Sequence, residues 1–128
     1  LQKFKTKIIR FKFINSSIKH VTKFRPLEIS IVLDNLVSNS KKNGATEITF
    51  SFKKEEGELH VLASDNGKGV KEQDSKHIFK RGFTTTDGAG IGLAHIKNII
   101  ESMGGQIEFK GNNIELLGKG ACFEMVFK

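Results

Sequence analysis

The chain has 128 residues, 38% of them hydrophobic and 27% charged, which suits one soluble domain with a single core. Its net charge of +7 invites a nucleic-acid partner, but the 21 Lys and Arg are spread along the chain with only a mild excess in residues 3–25, and no Trp or Tyr is present to stack bases. No apolar run reaches the roughly 18–20 residues of a membrane span, no signal-peptide pattern is present, and the lone cysteine, Cys122, rules out an intrachain disulfide.

In chain order, residues 7–14 (Lys-Ile-Ile-Arg-Phe-Lys-Phe-Ile) predict a strand from β-formers in partial alternation. Pro26 suits the first turn of a helix. Ile29, Val32, Leu33, Leu36 and Val37 then fall at the spacing of an amphipathic helix, which Lys41, Lys42 and a left-handed cap at Gly44 should close. Ile48–Phe52 alternates as a strand, Glu55-Glu-Gly57 suits a hairpin turn, and Leu59–Ala63 is the returning strand, running into Asp65. Residues 70–93 lack periodicity except for a short helix expected near Asp74–Phe79, and read as a functional loop or lid. Leu93, Ile96, Ile99, Ile100 and Met103 mark a second helix ended by Gly104-Gly105. Gln106–Lys110 and Cys122–Phe127 read as paired strands, with a short strand possible at Ile114–Leu117 between them.

The order β-α-β-β-loop-α-β-β predicts a two-layer α/β sandwich: a mixed, mostly antiparallel sheet with helices on one face. No repeat or second domain is visible, so residues 1–128 form one unit. The chain starts at Leu1, and its methionines are Met103 and Met125, so we read it as a domain of something longer.

Four polar blocks carry the chemistry. Asn35 and Asn39 are four apart on the first helix and share a face, with Lys42 three further on. Two amide oxygens and an ammonium in a stripe can hold Mg²⁺ and phosphate together, since magnesium takes hard oxygen ligands and keeps several waters. A solvated polar stripe is the plainer alternative. Asp65-Asn-Gly67-Lys-Gly69 follows a strand. It is either a simple Asp/Asn-Gly turn or a fixed carboxylate that accepts from the exocyclic amine of adenine, with glycines admitting the purine. Phe79 and Phe83 flank Lys80-Arg-Gly82 and suit core packing, a reading favoured over a phosphate or partner-domain contact by Lys80 or Arg81. Thr84, Thr85 and Thr86 offer hydroxyls to phosphate or form an exposed lid. Gly88-Ala-Gly90-Ile-Gly92-Leu93 precedes the second helix, where backbone N–H groups attract anions. It fits neither the Rossmann nor the P-loop spacing.

In this order the blocks resemble the N, G1, F and G2 boxes of the ATP-binding domain of sensor histidine kinases, in the superfamily that includes gyrase, the Hsp90 chaperones and MutL. The resemblance covers residues 25–128 and implies a Bergerat-type fold with an ATP lid. It implies that Asn39 and Asn35 hold Mg²⁺ and that Lys42, or second Lys41, reaches phosphate. It makes Asp65 the adenine acceptor, with Gly67 and Gly69 beside the ring. Phe83 and Thr85 then belong to the lid, Gly88, Gly90 and Gly92 hinge it, and the Gly90–Leu93 backbone lies at the phosphates. The same resemblance implies that Asn35 and Lys42 are the catalytic pair. The ATP-hydrolysing relatives carry a Glu where this chain has Asn35; an amide is no general base, so intrinsic ATPase activity is expected to be weak.

The implied function is transfer of the γ-phosphate of Mg-ATP to a histidine on a separate, dimerising helical domain, with a response regulator downstream, all on the cytoplasmic side. Nucleotide-dependent switching without catalysis is the alternative, as is an ATPase or serine kinase of the same fold. His20, His60, His77 and His95 lack zinc-ligand spacing and any phosphoacceptor motif. Gly118-Lys-Gly120 and the expected buried, inert Cys122 are assigned structural roles.

Overall fold

The computed structural model describes residues 9–15, 26–80, 92–112 and 120–128. The elements are β1 (Arg10–Ile14), α1 (Pro26–Lys42), β2 (Glu47–Glu55), β3 (Glu58–Asp65), a 3₁₀ turn (Glu72–Asp74), α2 (Gly92–Ser102), β4 (Gln106–Asn112) and β5 (Ala121–Phe127). The five strands form one sheet in the order β1-β2-β3-β5-β4. β1 runs parallel to β2, and the other three pairings are antiparallel. The expected element order and sandwich class are both found.

Strand alternation divides the sheet into two faces. Ile48 and Phe50 of β2, Val61 and Ala63 of β3, Ile107 of β4 and Phe123 and Met125 of β5 point to one side, where they cluster with Val32 and Leu36 of α1 and Ile96, Ile99 and Ile100 of α2. The opposite side is largely polar. There His60 Nδ1 lies 3.3 Å from Glu124 Oε2, and Lys110 Nζ stands 3.8 Å from Glu108 and 3.9 Å from Glu124. Only one face is apolar enough to need a helical layer, which is why both helices sit there.

Hairpin β2–β3 turns at Glu56 and Gly57, with φ of 51° and 80°, the left-handed pair that matches strand twist. Gly44 ends α1 at φ 81°, and Ala45 N donates to Ser40 O at 2.9 Å, satisfying a terminal helix carbonyl.

Two expectations need correction. Leu33, expected on the buried stripe of α1, is 41% exposed. The stripe runs instead through Val32, Leu36 and Ser40, each four residues on, and Leu33 is turned about 100° from Val32. No helix spans Asp74–Phe79. The 3₁₀ turn ends at Asp74, and single turns follow, with His77 N bonded to Asp74 O and Lys80 N to His77 O. Residues 7 and 8 of the first predicted strand and the segment Ile114–Leu117 lie outside the described residues.

Candidate functional site

Asp65 is the last residue of β3 and, by register with Ile48, points to the helix side of the sheet. It is 6% exposed. A buried carboxylate needs hydrogen-bond donors, and this one has two. Ser40 Oγ on α1 donates to Oδ2 at 2.8 Å, and Gly67 N donates to Oδ1 at 2.9 Å. From the other side Gly120 N donates to the Asp65 carbonyl at 2.7 Å.

Two glycines are required here by close approach. A Cβ on Gly120 would fall on Asp65 Oδ1 and within 2.7 Å of Gly67 N. A Cβ on Gly67 would stand 2.7 Å from the Asn43 carbonyl, which is backbone and cannot swing away. Any larger residue at either position displaces the carboxylate or the loop that carries it.

Two asparagines fasten the Asp65–Val70 loop. Asn66 Oδ1 accepts from Thr46 N at 2.8 Å and Glu47 N at 3.0 Å, and its Nδ2 donates to Thr46 Oγ1 at 3.0 Å. Asn112, at the end of β4, accepts from Val70 N at 2.9 Å and donates to Val70 O at 2.6 Å, standing in for a strand partner. Its amide also lies against Gly69, whose φ is 79°. Lys68 N donates to Asn43 O at 3.0 Å and ties the loop to the end of α1.

On α1, Asn35 Nδ2 donates to Ile31 O at 2.8 Å, one turn back. The amide is thereby oriented, and its Oδ1 faces the start of α2, 3.6 Å from where a Cβ on Gly92 would stand. Asn39 follows one turn later, half-buried, and Lys42 is exposed. The α1 polar stripe, the β3 carboxylate and the first turn of α2, with Gly92 and Leu93, are thus brought to one side of the fold. Phe79 is fixed nearby, edge-on to Phe123 at 6.1 Å, with Lys97 Nζ 5.6 Å from its ring centre. Phe83, Thr85, Gly88 and Gly90, with Lys119 and the first glycine of the Gly118 motif, lie outside the described residues.

Sequence reasoning missed Ser40, Asn112 and the contact of Gly120 with Asp65. Ser40 had a signal: it continues the Val32–Leu36 stripe at i+4, so its hydroxyl had to be buried against something. The other two depend on contacts between distant strands and leave no local pattern.

Residues 25–128 match the family described as histidine kinase-, DNA gyrase B-, and HSP90-like ATPases. The chain belongs to that family. As a member it is an ATP-binding domain of the histidine kinase class. It is 32% identical over 104 residues to the sensor protein CiaH of Streptococcus pneumoniae, covering 76% of this chain and 22% of that protein. To the sensor histidine kinase ZraS of Salmonella typhimurium it is 41% identical over 102 residues, covering 77% of this chain and 21% of the relative. The structure of full-length ShkA in complex with AMPPNP superposes with a TM-score of 0.76 at 27% identity, over 94% of this chain and 26% of that one. The chain therefore spans about a fifth of the length of the curated relatives it matches. Among the described residues no helix is long and apolar enough to cross a membrane.

Proposed function

We propose that this chain is the catalytic module of a two-component sensor kinase, one domain of a longer protein, and that it passes the γ-phosphate of ATP to a histidine on a separate helical domain. The observation that carries the reading is the buried Asp65, aligned by Ser40 and Gly67 on the side of the fold where the Asn35 amide oxygen meets the start of α2. A carboxylate whose oxygens both accept suits the 6-amino group of adenine, and Gly67 and Gly69 keep side chains away from the ring.

The donor set of α1 fits magnesium. The Asn35 amide is turned so that its oxygen is outward, and Asn39 lies one turn away. Neutral oxygens suit a hard cation that keeps water and phosphate oxygens as its remaining ligands. Bound there, Mg²⁺ would neutralise charge on the phosphates. Lys42, further along the helix, is placed to add a positive charge, and the N-terminus of α2 presents N–H groups with a favourable dipole. The sequence puts Phe83, Thr85, Gly88 and Gly90 in the stretch leading into that helix, and we assign them to the lid.

Phosphoryl transfer needs little more of a protein than positioning and electrostatic stabilisation. Asn35 aligns the phosphates without activating water, which keeps the γ-phosphate for the acceptor histidine. The similarity to sensor kinases over the matched residues, and the small share of their length that this chain spans, support a nucleophile on another domain and a response regulator beyond it. We assign the module to the cytoplasm, where ATP is available, and the lone cysteine is compatible with that reducing compartment.

With γ-labelled ATP, the chain joined to its helical domain should yield acid-labile phosphohistidine on that domain, and the chain alone should acquire no label. Stable label on the chain alone would contradict this reading.

A further inference from the structure

Ser40 lies in the last turn of α1 and is held at both its backbone and its side chain. Its carbonyl accepts from Ala45 N at 2.9 Å and Asn43 N at 3.2 Å, and its side chain is buried. From that fixed point the hydroxyl donates to Asp65 Oδ2 across 25 residues of chain. Gly67 N–H, which can only donate, occupies Oδ1. With both oxygens accepting, the carboxylate plane is locked from two sides, and the remaining lone pairs have set directions.

We propose that Ser40 is a positioning residue that sets the purine specificity of the site: by aiming Asp65 as a pure acceptor, it selects nucleotides with a 6-amino group. The proposal rests on the reading of Asp65 as the adenine contact. A 6-aminopurine offers a donor to the aligned oxygen. A purine with hydrogen at C6 offers nothing there, and a 6-oxopurine sets an acceptor against it. Without the hydroxyl, Oδ2 loses its α1 anchor, the carboxylate is free to rotate about its terminal torsion, which is soft, and the direction of acceptance is lost. Ser40 touches no nucleotide in this scheme and acts through Asp65.

The test compares ATP with purine riboside triphosphate, which lacks only the 6-amino group, by titration calorimetry. Ser40→Ala should weaken ATP binding about tenfold, the order of one hydrogen bond to a charged group. It should leave the affinity for the 6-hydrogen analogue unchanged. Ser40→Thr, which keeps the hydroxyl, should restore ATP binding. Ser40→Cys, close in size and a far weaker donor, runs beside the alanine variant so that one folded variant suffices. In an Asp65→Asn background, Ser40→Ala should add no further loss. Equal weakening of both nucleotides, or of neither, overturns the role of Ser40. Unchanged ATP binding by Asp65→Asn alone overturns the adenine reading beneath it.

Discussion

Cys122 and Ser64 face each other across β5 and β3 on the side of the sheet away from the helices, and both are buried. Ser64 Oγ has no partner at full hydrogen-bond geometry. Burial pushes the Cys122 thiol up to about 11, and its weak contact with Ser64 pulls the other way. A buried thiol that keeps its proton is a poor nucleophile, consistent with a packing role. The shift has a consequence for stability. In the unfolded chain the thiol ionises near its ordinary 9.0, whereas in the folded chain it stays protonated to about 11. Between those values the unfolded state binds fewer protons, so the native state loses stability as pH rises; below 9 the contribution is complete. Thermal melts from pH 8 to 11 should therefore fall more steeply for the native chain than for Cys122→Ala. Parallel curves would assign the burial no linkage.

At the scale of elements, α2 holds the two layers together. Ile96 and Ile100 are fully buried, one turn apart, against the sheet. Ile100→Ala should cost about 2–5 kcal/mol in chemical denaturation, the range for a large-to-small change in a tight core. A cost below about 1 kcal/mol would mean that α2 packs loosely and that its N-terminus is not a fixed part of the site. This helix was legible in the sequence because its apolar spacing is clean and Gly104, at φ 79°, stops it. Most of α1 was legible for the same reason, as were the Glu56-Gly57 turn and the β4–β5 pair. The exposure of Leu33 was not, since five apolar residues describe a wider stripe than the sheet covers. The parallel placement of β1 beside β2 was not either, because alternation identifies a strand and says nothing about its neighbour. The Asp74–Phe79 stretch fails as a helix for want of an apolar period; only Ile78 is buried there. Of the candidate site, Asp65 and Asn35 stand out in the sequence as a strand-end Asp-Asn-Gly and an Asn pair at helical spacing. Ser40 was not recognised, because a hydroxyl after two asparagines reads as more polar surface.

For the whole molecule, the two-layer design explains why the site lies where it does. The sheet spends one face on the core, and β3 delivers Asp65 at the end where α1 terminates and Asn43, Ser40 and Gly67 converge. The start of α2 comes alongside Asn35 on the same side. In the proposed complex a nucleotide would touch both helices and the sheet, so its purine and phosphate ends would be read by different elements. In that complex Asp65 reads the adenine. Calorimetric titration with ATP and ADP, with and without Mg²⁺, of the native chain beside Asp65→Asn tests it most directly. Saturable binding by the native chain is expected, with a loss of tenfold or more in Asp65→Asn, about 1.4 kcal/mol or greater. Equal binding by the two proteins, or no binding by the native chain at millimolar nucleotide, would contradict it.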